Sequence, residues 1–318
     1  MDSSELTADD IREGYQRVLG RSVESDTVIE QQRGAHRTRE SFWAALLASD
    51  EFNGKSGGIM GQLRRTLMED FSSIHHTVTP DQLRILMERI REQWTALGET
   101  EPHWSVLTSD EFRADKLDEV ALAEFNRSGH DMAVLVDIYE RRSGASAGRG
   151  VCLELGCGVG RITAHLAKRF ERVIAVDISP GNLRLCDEYM KAQGIDNVET
   201  RLVSDPTDFE NFPPIDFFYS VLVLQHNSPP VQKFTLNAIL KRIRPGGAAF
   251  FQIPTSMAGY RFDIDEYLTT SHPVMELHSL PPAVVLKLIS DNGLVLRDIS
   301  PDPMIGIFGS NTFFATKP

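Results

Sequence analysis

A run of strand-forming residues, Val151-Cys-Leu-Glu-Leu155, passes without a break into Gly156-Cys-Gly-Val-Gly160 and on into an amphipathic stretch bearing Ile162, Leu166 and Phe170. A strand that turns through alternating glycines into a helix is the start of a β-α crossover. It commits the surrounding chain to a parallel sheet wound with helices. The glycines let the backbone turn tightly and let a bound molecule approach the main chain.

The residues that follow fit that frame. Strands are expected near 150–155, 172–177, 198–203, 216–222 and 247–253, with two more near 294–300 and 309–316. Helices should start near Gly160, Pro180 and Pro230, and a fourth should run from 282 to 292 and stop at Gly293. In the helix after Pro230, Leu236, Ile239, Leu240 and Ile243 share one face before Pro245-Gly-Gly247 ends it. Residues 148–318 are therefore read as an α/β domain with a seven-stranded, mostly parallel, doubly wound sheet.

Glycine-rich strand-to-helix loops serve NAD, FAD, ATP and S-adenosylmethionine alike. Here the spacing is Glu154-x-Gly-x-Gly-x-Gly, whereas the dinucleotide fingerprint would place a glycine at Arg161. A pyrophosphate avoids a carboxylate, while the amino-acid end of S-adenosylmethionine carries an ammonium group that Glu154 would favour. Val173-Ile-Ala-Val-Asp177 then ends the second strand in an acid able to accept both ribose hydroxyls.

These residues resemble motif I and the following acid of class I S-adenosylmethionine-dependent methyltransferases, and the likeness runs to the end of the chain. Val203-Ser-Asp205 stands where that family sets an acid against the adenine amino group. Asp216-Phe-Phe-Tyr-Ser-Val-Leu-Val-Leu-Gln-His-Asn227 resembles the fourth strand and its active-site loop, and LKRIRPGG, from Leu240 to Gly247, resembles the turn before strand five. The cofactor contacts implied by the resemblance are Glu154, Gly156, Cys157, Gly158, Gly160 and Arg161 in the loop. Asp177, Ile178 and Asn182 follow the second strand, Asp205 the third, and Leu222 and Gln225 the fourth.

Methyl transfer to an oxygen benefits from a general base, and His226, just past strand four, is the first candidate; His278 in Met275-Glu-Leu-His278 is the second. The Asn/Asp-Pro-Pro-aromatic tetrad of amino-adenine and glutamine N-methyltransferases is absent from Gln225-His-Asn-Ser-Pro-Pro230, which leaves oxygen nucleophiles ahead. Tyr260, Arg261 and Asp263, after strand five, suit a polyhydroxylated ligand. The site is read without a metal, although Asp263, Glu276 and His278 could gather a divalent ion.

Blocks such as HWSVLT, VLQHN, FQIPT and MELHSLP resemble bacterial methyltransferases of polysaccharide assembly. YQRVLGR with FWAALLASDEF resembles a helical module attached to glycan-modifying enzymes. Both imply a hydroxyl of a sugar or oligosaccharide precursor as acceptor. Methylation of another small molecule and NAD-dependent oxidation are the alternatives.

Upstream of residue 148 the chain reads as helical. Residues 1–56 form a small module, in which Thr7 and Asp10 resemble a capping box ahead of Ile11, Tyr15, Val18 and Leu19. Gly20 and a polar stretch mark a turn, and a second helix starts near Thr38 with Phe42, Leu46 and Leu47. Gly54-Lys-Ser-Gly-Gly58 reads as a linker. Residues 57–147 form a second helical region, with a capped helix from Thr79-Pro80-Asp81-Gln82 whose stripe is Leu83, Leu86, Met87, Ile90, Trp94 and Leu97. That stripe must pack on the catalytic domain or on a partner, so a homodimer is one expectation. Two further helices are expected, one with Leu117, Val120, Ala121 and Phe125, the other with Met132, Leu135, Val136 and Tyr139. Trp104, Thr108 and Phe112 fall where a lid over the cofactor belongs.

A net charge of -12 and a pI near 5.2, with no long Lys/Arg run, disfavour a nucleic-acid substrate. No stretch approaches the roughly 18 apolar residues of a membrane span. The acidic Met1-Asp-Ser-Ser-Glu-Leu start lacks a secretory pattern, and Cys152, Cys157 and Cys186 show no metal or disulfide spacing, so a cytoplasmic enzyme is expected.

Overall fold

A computed structural model describes residues 6–19, 21–49, 51, 71–257, 259–306 and 309–318. The chain divides into two compact units, 1–68 and 69–318. The expected linker at 54–58 lies outside the described residues.

In the first unit, α1 (Ala8–Val18) starts on the expected capping box: the Thr7 hydroxyl accepts the Asp10 N–H, and the Asp10 carboxylate accepts the Thr7 N–H. α2 (Asp26–Ala35) forms where only a turn was expected. It buries Ile29 alone, too sparse a pattern to announce a helix, and is capped by Ser25. α3 (Arg39–Ala48) is capped by Thr38 and brings Phe42 and Leu46 onto Ile11, Tyr15 and Leu19.

The second unit opens with α4 (Pro80–Thr100), whose Thr79 and Gln82 close a capping box at each other's backbone N–H. α5 (Pro102–Val106) follows, and then α6 (Glu119–Ser143). The two helices expected over this last stretch are one. The glycine between them is a point of close packing and not a break: a Cβ on Gly129 would lie 2.0 Å from the carbonyl oxygen of Arg161.

The α/β part then runs β1 (Val151–Leu155), α7 (Thr163–Leu166), β2 (Arg172–Asp177), α8 (Pro180–Ala192), β3 (Val198–Leu202), β4 (Ile215–Ser220), α9 (Pro229–Leu240) and β5 (Ile243–Pro254). α10 (Ile264–Thr269), α11 (Pro282–Asp291), β6 (Val295–Pro301) and β7 (Ser310–Thr316) complete it. The helix expected from Gly160 is reduced to the four residues of α7. The sheet order is β3-β2-β1-β4-β5-β7-β6, parallel through β5, with β7 antiparallel to both neighbours. This is the expected seven-stranded, mostly parallel, doubly wound sheet.

Both faces of the sheet are covered, so the central strands read as unbroken apolar runs. In β4, Phe218 faces one core with Leu153, Ile174 and Phe251, while Phe217 and Tyr219 face the other with Cys152, Val173 and Phe250. Because β1 lies between β2 and β4, the order in which successive strands are added to the sheet reverses there, although all three run parallel. The crevice beyond the carboxyl ends of these three strands is where such a sheet takes ligands. Among the described residues no helix is long and apolar enough to cross a membrane.

Candidate active site

A cavity of about 980 Å³ opens at that reversal. Its floor is the glycine loop. Gly156 and Gly158 sit at φ 74° and 53°, where a side chain is strained, and a Cβ on Gly156 would come within 2.2 Å of Val223. The loop thereby presents backbone to the cavity.

Glu154 lines the cavity from the end of β1, is 2 % exposed, and its Oε2 has no hydrogen-bond partner among the described residues. Burial pushes its carboxyl up to about 7. Arg161, 3 % exposed, also lines the cavity. Its Nη1 donates to the Ser128 hydroxyl at 3.1 Å, its Nε is unpartnered, and burial lowers its pKa. A buried carboxyl and a buried guanidinium on one wall leave a ligand both an acid and a cation to pair with.

Asp177 closes β2. Its Oδ2 accepts the Gly158 N–H at 2.8 Å and its Oδ1 the Ser179 N–H at 2.9 Å; burial raises its pKa against these bonds and those from the Ile178 backbone and the Asn182 side chain. Ile178 and Asn182 line the cavity beside it, and the Asn182 Oδ1 is buried without a partner. Cys157 lines the loop as a free cysteine, its thiol pushed up by burial.

The other wall is less as expected. His226 and Leu222 line the cavity, Leu222 at a left-handed φ of 63° with its N–H donated to the Gln252 side chain. The His226 Nδ1 lies 3.0 Å from the carbonyl oxygen of Glu276 and its ring centroid 5.0 Å from that of Trp94. Burial lowers its pKa to about 4, so the imidazole is neutral at physiological pH.

Several expected contacts lie elsewhere. Gln225 is buried behind the wall, its Nε2 3.3 Å from the His226 Nε2. Gly160 packs toward Cys186 and Met190. Asp205 spends its side chain on the Thr207 N–H and hydroxyl as a helix cap, and its neighbours Val203 and Phe209 line the cavity instead. Trp104 lies under the Arg113 guanidinium, 4.3 Å from its ring centroid, while Ser105 and Val106 reach the cavity.

The acceptor-side candidates do not gather. Arg261 is exposed and pairs with Glu266 at 3.2 Å, and Asp263 caps α10. His278 is buried outside the cavity, its Nδ1 2.7 Å from the Tyr260 hydroxyl. Glu276 approaches His278 no closer than 3.8 Å, and no grouping of three metal-ligating side chains occurs among the described residues. In their place α4 turns Met87, Ile90 and Trp94 into the cavity, and Asn227, Val231 and Thr235 complete that wall. The apolar stripe of α4 was the available signal for this; what it covers was not readable.

Residues 152–247 match the family model of a methyltransferase domain. The chain is 34% identical over 112 residues to an uncharacterized methyltransferase of Emericella nidulans, covering 30% of this chain and 38% of that one. It is 26% identical over 132 residues to a ubiquinone biosynthesis O-methyltransferase of Caulobacter vibrioides, covering 42% and 47%. The chain thus spans less than half the length of these curated relatives.

Magnesium protoporphyrin IX methyltransferase from Synechocystis PCC 6803, solved with bound S-adenosylmethionine, shares the fold, with a TM-score of 0.51 and 16% identity over 73% of this chain and 97% of that one.

Proposed function

We propose that this chain is an S-adenosylmethionine-dependent O-methyltransferase acting on a hydroxyl of a small molecule, with His226 as the base. The cofactor carries an ammonium, a carboxylate and a ribose diol, and supplies an activated methyl group on a sulfonium. The observation that carries the reading is the unpartnered, buried Glu154 Oε2 on the same wall as the buried Arg161. Glu154 would take the ammonium and Arg161 the carboxylate, while Asp177 would take the ribose hydroxyls. Ile178, Val203 and Phe209 offer an apolar slot for the adenine.

His226 can serve as base without first losing a proton, because its imidazole is already neutral. The remaining work of the protein is to hold the hydroxyl in line and exclude water.

Of the two acceptor classes that the sequence leaves open, a sugar hydroxyl and the hydroxyl of another small molecule, the cavity favours the second. Its acceptor side sets Met87, Ile90, Trp94, Val223 and Val231 beside Asn227 and Thr235, so apolar side chains predominate, and Arg261 and Asp263 are engaged elsewhere. A ligand with its hydroxyl on a largely apolar body fits that wall. Incubation with methyl-labelled cofactor and two panels, phenols and oligosaccharides, tests this. Transfer to phenols is expected; transfer confined to oligosaccharides would restore the sugar reading.

A further inference from the structure

Outside the cavity a group of titratable side chains gathers on the segment 272–278 behind His226. Glu276 stands at its centre. The Glu276 Oε2 accepts the Tyr267 hydroxyl at 2.6 Å, its Oε1 lies 3.1 Å from the His272 Nδ1, and the His278 Nε2 stands 3.8 Å from Oε2. The His272 ring stacks on Tyr267 with centroids 3.9 Å apart, and Arg89 of α4 grips the carbonyls of Tyr267 and Leu268 at 2.7 and 2.6 Å. Met275, just before Glu276, sits at a φ of 62°, a conformation that persists in a non-glycine residue only when its surroundings impose it.

All this anchoring directs one atom. The Glu276 carbonyl oxygen meets the His226 Nδ1 at 3.0 Å, and because a carbonyl can only accept, Nδ1 must carry the hydrogen. A neutral imidazole holds one N–H, so Nε2 is left with the lone pair, and the Gln225 amide, 3.3 Å away, is a donor suited to it. On the other side, the His278 N–H is donated to the Gln225 carbonyl at 2.8 Å, which ties the end of the same segment to the His226 loop.

We infer that the segment 272–278, anchored by the Glu276 carboxylate on Tyr267 and His272, is a positioning element that fixes His226 as the Nδ1–H tautomer with Nε2 as its only proton acceptor. Glu276 and Tyr267 are positioning residues; neither lines the cavity. The inference rests on His226 being the base, yet its test needs no acceptor and no turnover. It can therefore fail, or hold, independently of that role.

The test is nitrogen NMR of the full chain labelled at histidine nitrogen and saturated with S-adenosylhomocysteine at neutral pH. Wild type should show His226 with Nδ1 at the protonated position and Nε2 at the bare position, with no averaging. In Glu276→Ala, His226 should become a mixture of both tautomers, and in Glu276→Gln, which keeps an acceptor for Tyr267, most of the Nδ1–H form should return. An Nε2–H form in wild type, or an unaltered Nδ1–H form in Glu276→Ala, would overturn the inference. If Glu276→Ala no longer binds S-adenosylhomocysteine, Tyr267→Phe decides: partial mixing supports the inference, and an unchanged spectrum refutes it. Loss of methyl transfer in His226→Ala is a separate measurement; full turnover there would remove the base and leave the tautomer result standing.

Discussion

The two walls of the cleft are built on different principles. One comes from residues close together in sequence: Glu154, Gly156, Gly158 and Arg161 lie on a single strand-to-helix turn, and Asp177 ends the adjacent strand. The other is assembled from Met87, Ile90 and Trp94 of α4, Ser105 and Val106 of α5, and His226 to Thr235, more than a hundred residues away. The first wall meets a ligand with backbone and buried charge. The second meets it with side chains on separate elements, each replaceable without disturbing the turn, so one wall suits an invariant group and the other a variable one.

If that division is real, changes on the first wall should strike cofactor affinity, and changes on the second should strike turnover alone. The largest effect is expected from Gly156→Ala. A left-handed residue costs about 1–2 kcal/mol with a side chain, and contact with Val223 adds to it, so a total of roughly 3 kcal/mol or more should appear as lost binding of S-adenosylhomocysteine by calorimetry. His226→Ala should lower methyl transfer about a hundredfold while the calorimetric affinity stays put. A matching fall in affinity would erase the distinction between the walls.

Asp177→Ala should weaken S-adenosylhomocysteine by about 1–3 kcal/mol, the loss of charge-assisted hydrogen bonds. The smallest effect is in pH. Glu154 titrates near 7 against an ordinary 4.5, so the free protein favours its neutral form. Stability from this group is present below 4.5 and is lost, by about 3 kcal/mol, as pH rises through 7. An ammonium-bearing ligand favours the anion, so its affinity should rise about tenfold from pH 6 to pH 8. A flat affinity would take Glu154 off the ligand. His226, lowered to about 4, should contribute no limb to the profile in that range.

The same contrast decides what could be read from the sequence. Sheet, loop and both acids were legible because a glycine pattern, a strand-end acid and unbroken apolar runs are local signals. Asp205 misled because an acid after a third strand also caps a helix, and here the Thr207 N–H and hydroxyl take it. Trp104 and its neighbour Ser105 differ by one position on a short helix, and that difference sends one toward Arg113 and the other into the cavity. The role of α4 was half legible. Its stripe demanded a partner, yet which part of the stripe would close a core and which would line a cavity depends on tertiary contact alone. Likewise nothing in Met275-Glu-Leu-His278 announces that a main-chain oxygen, and not a side chain, would face His226.

Gly98 near the end of α4 and Gly181 near the start of α8 meet almost without side chains. A Cβ on Gly98 would lie 2.0 Å from the Ser179 hydroxyl oxygen, and one on Gly181 would lie 2.8 Å from the Gly98 carbonyl oxygen. This bare seam rivets the helix bearing Trp94 to the residues immediately after Asp177. The two walls therefore cannot drift apart independently: whatever seats the nucleoside also sets the height of the roof under which the acceptor must fit, and a methyl group added at the seam would be felt in both places at once.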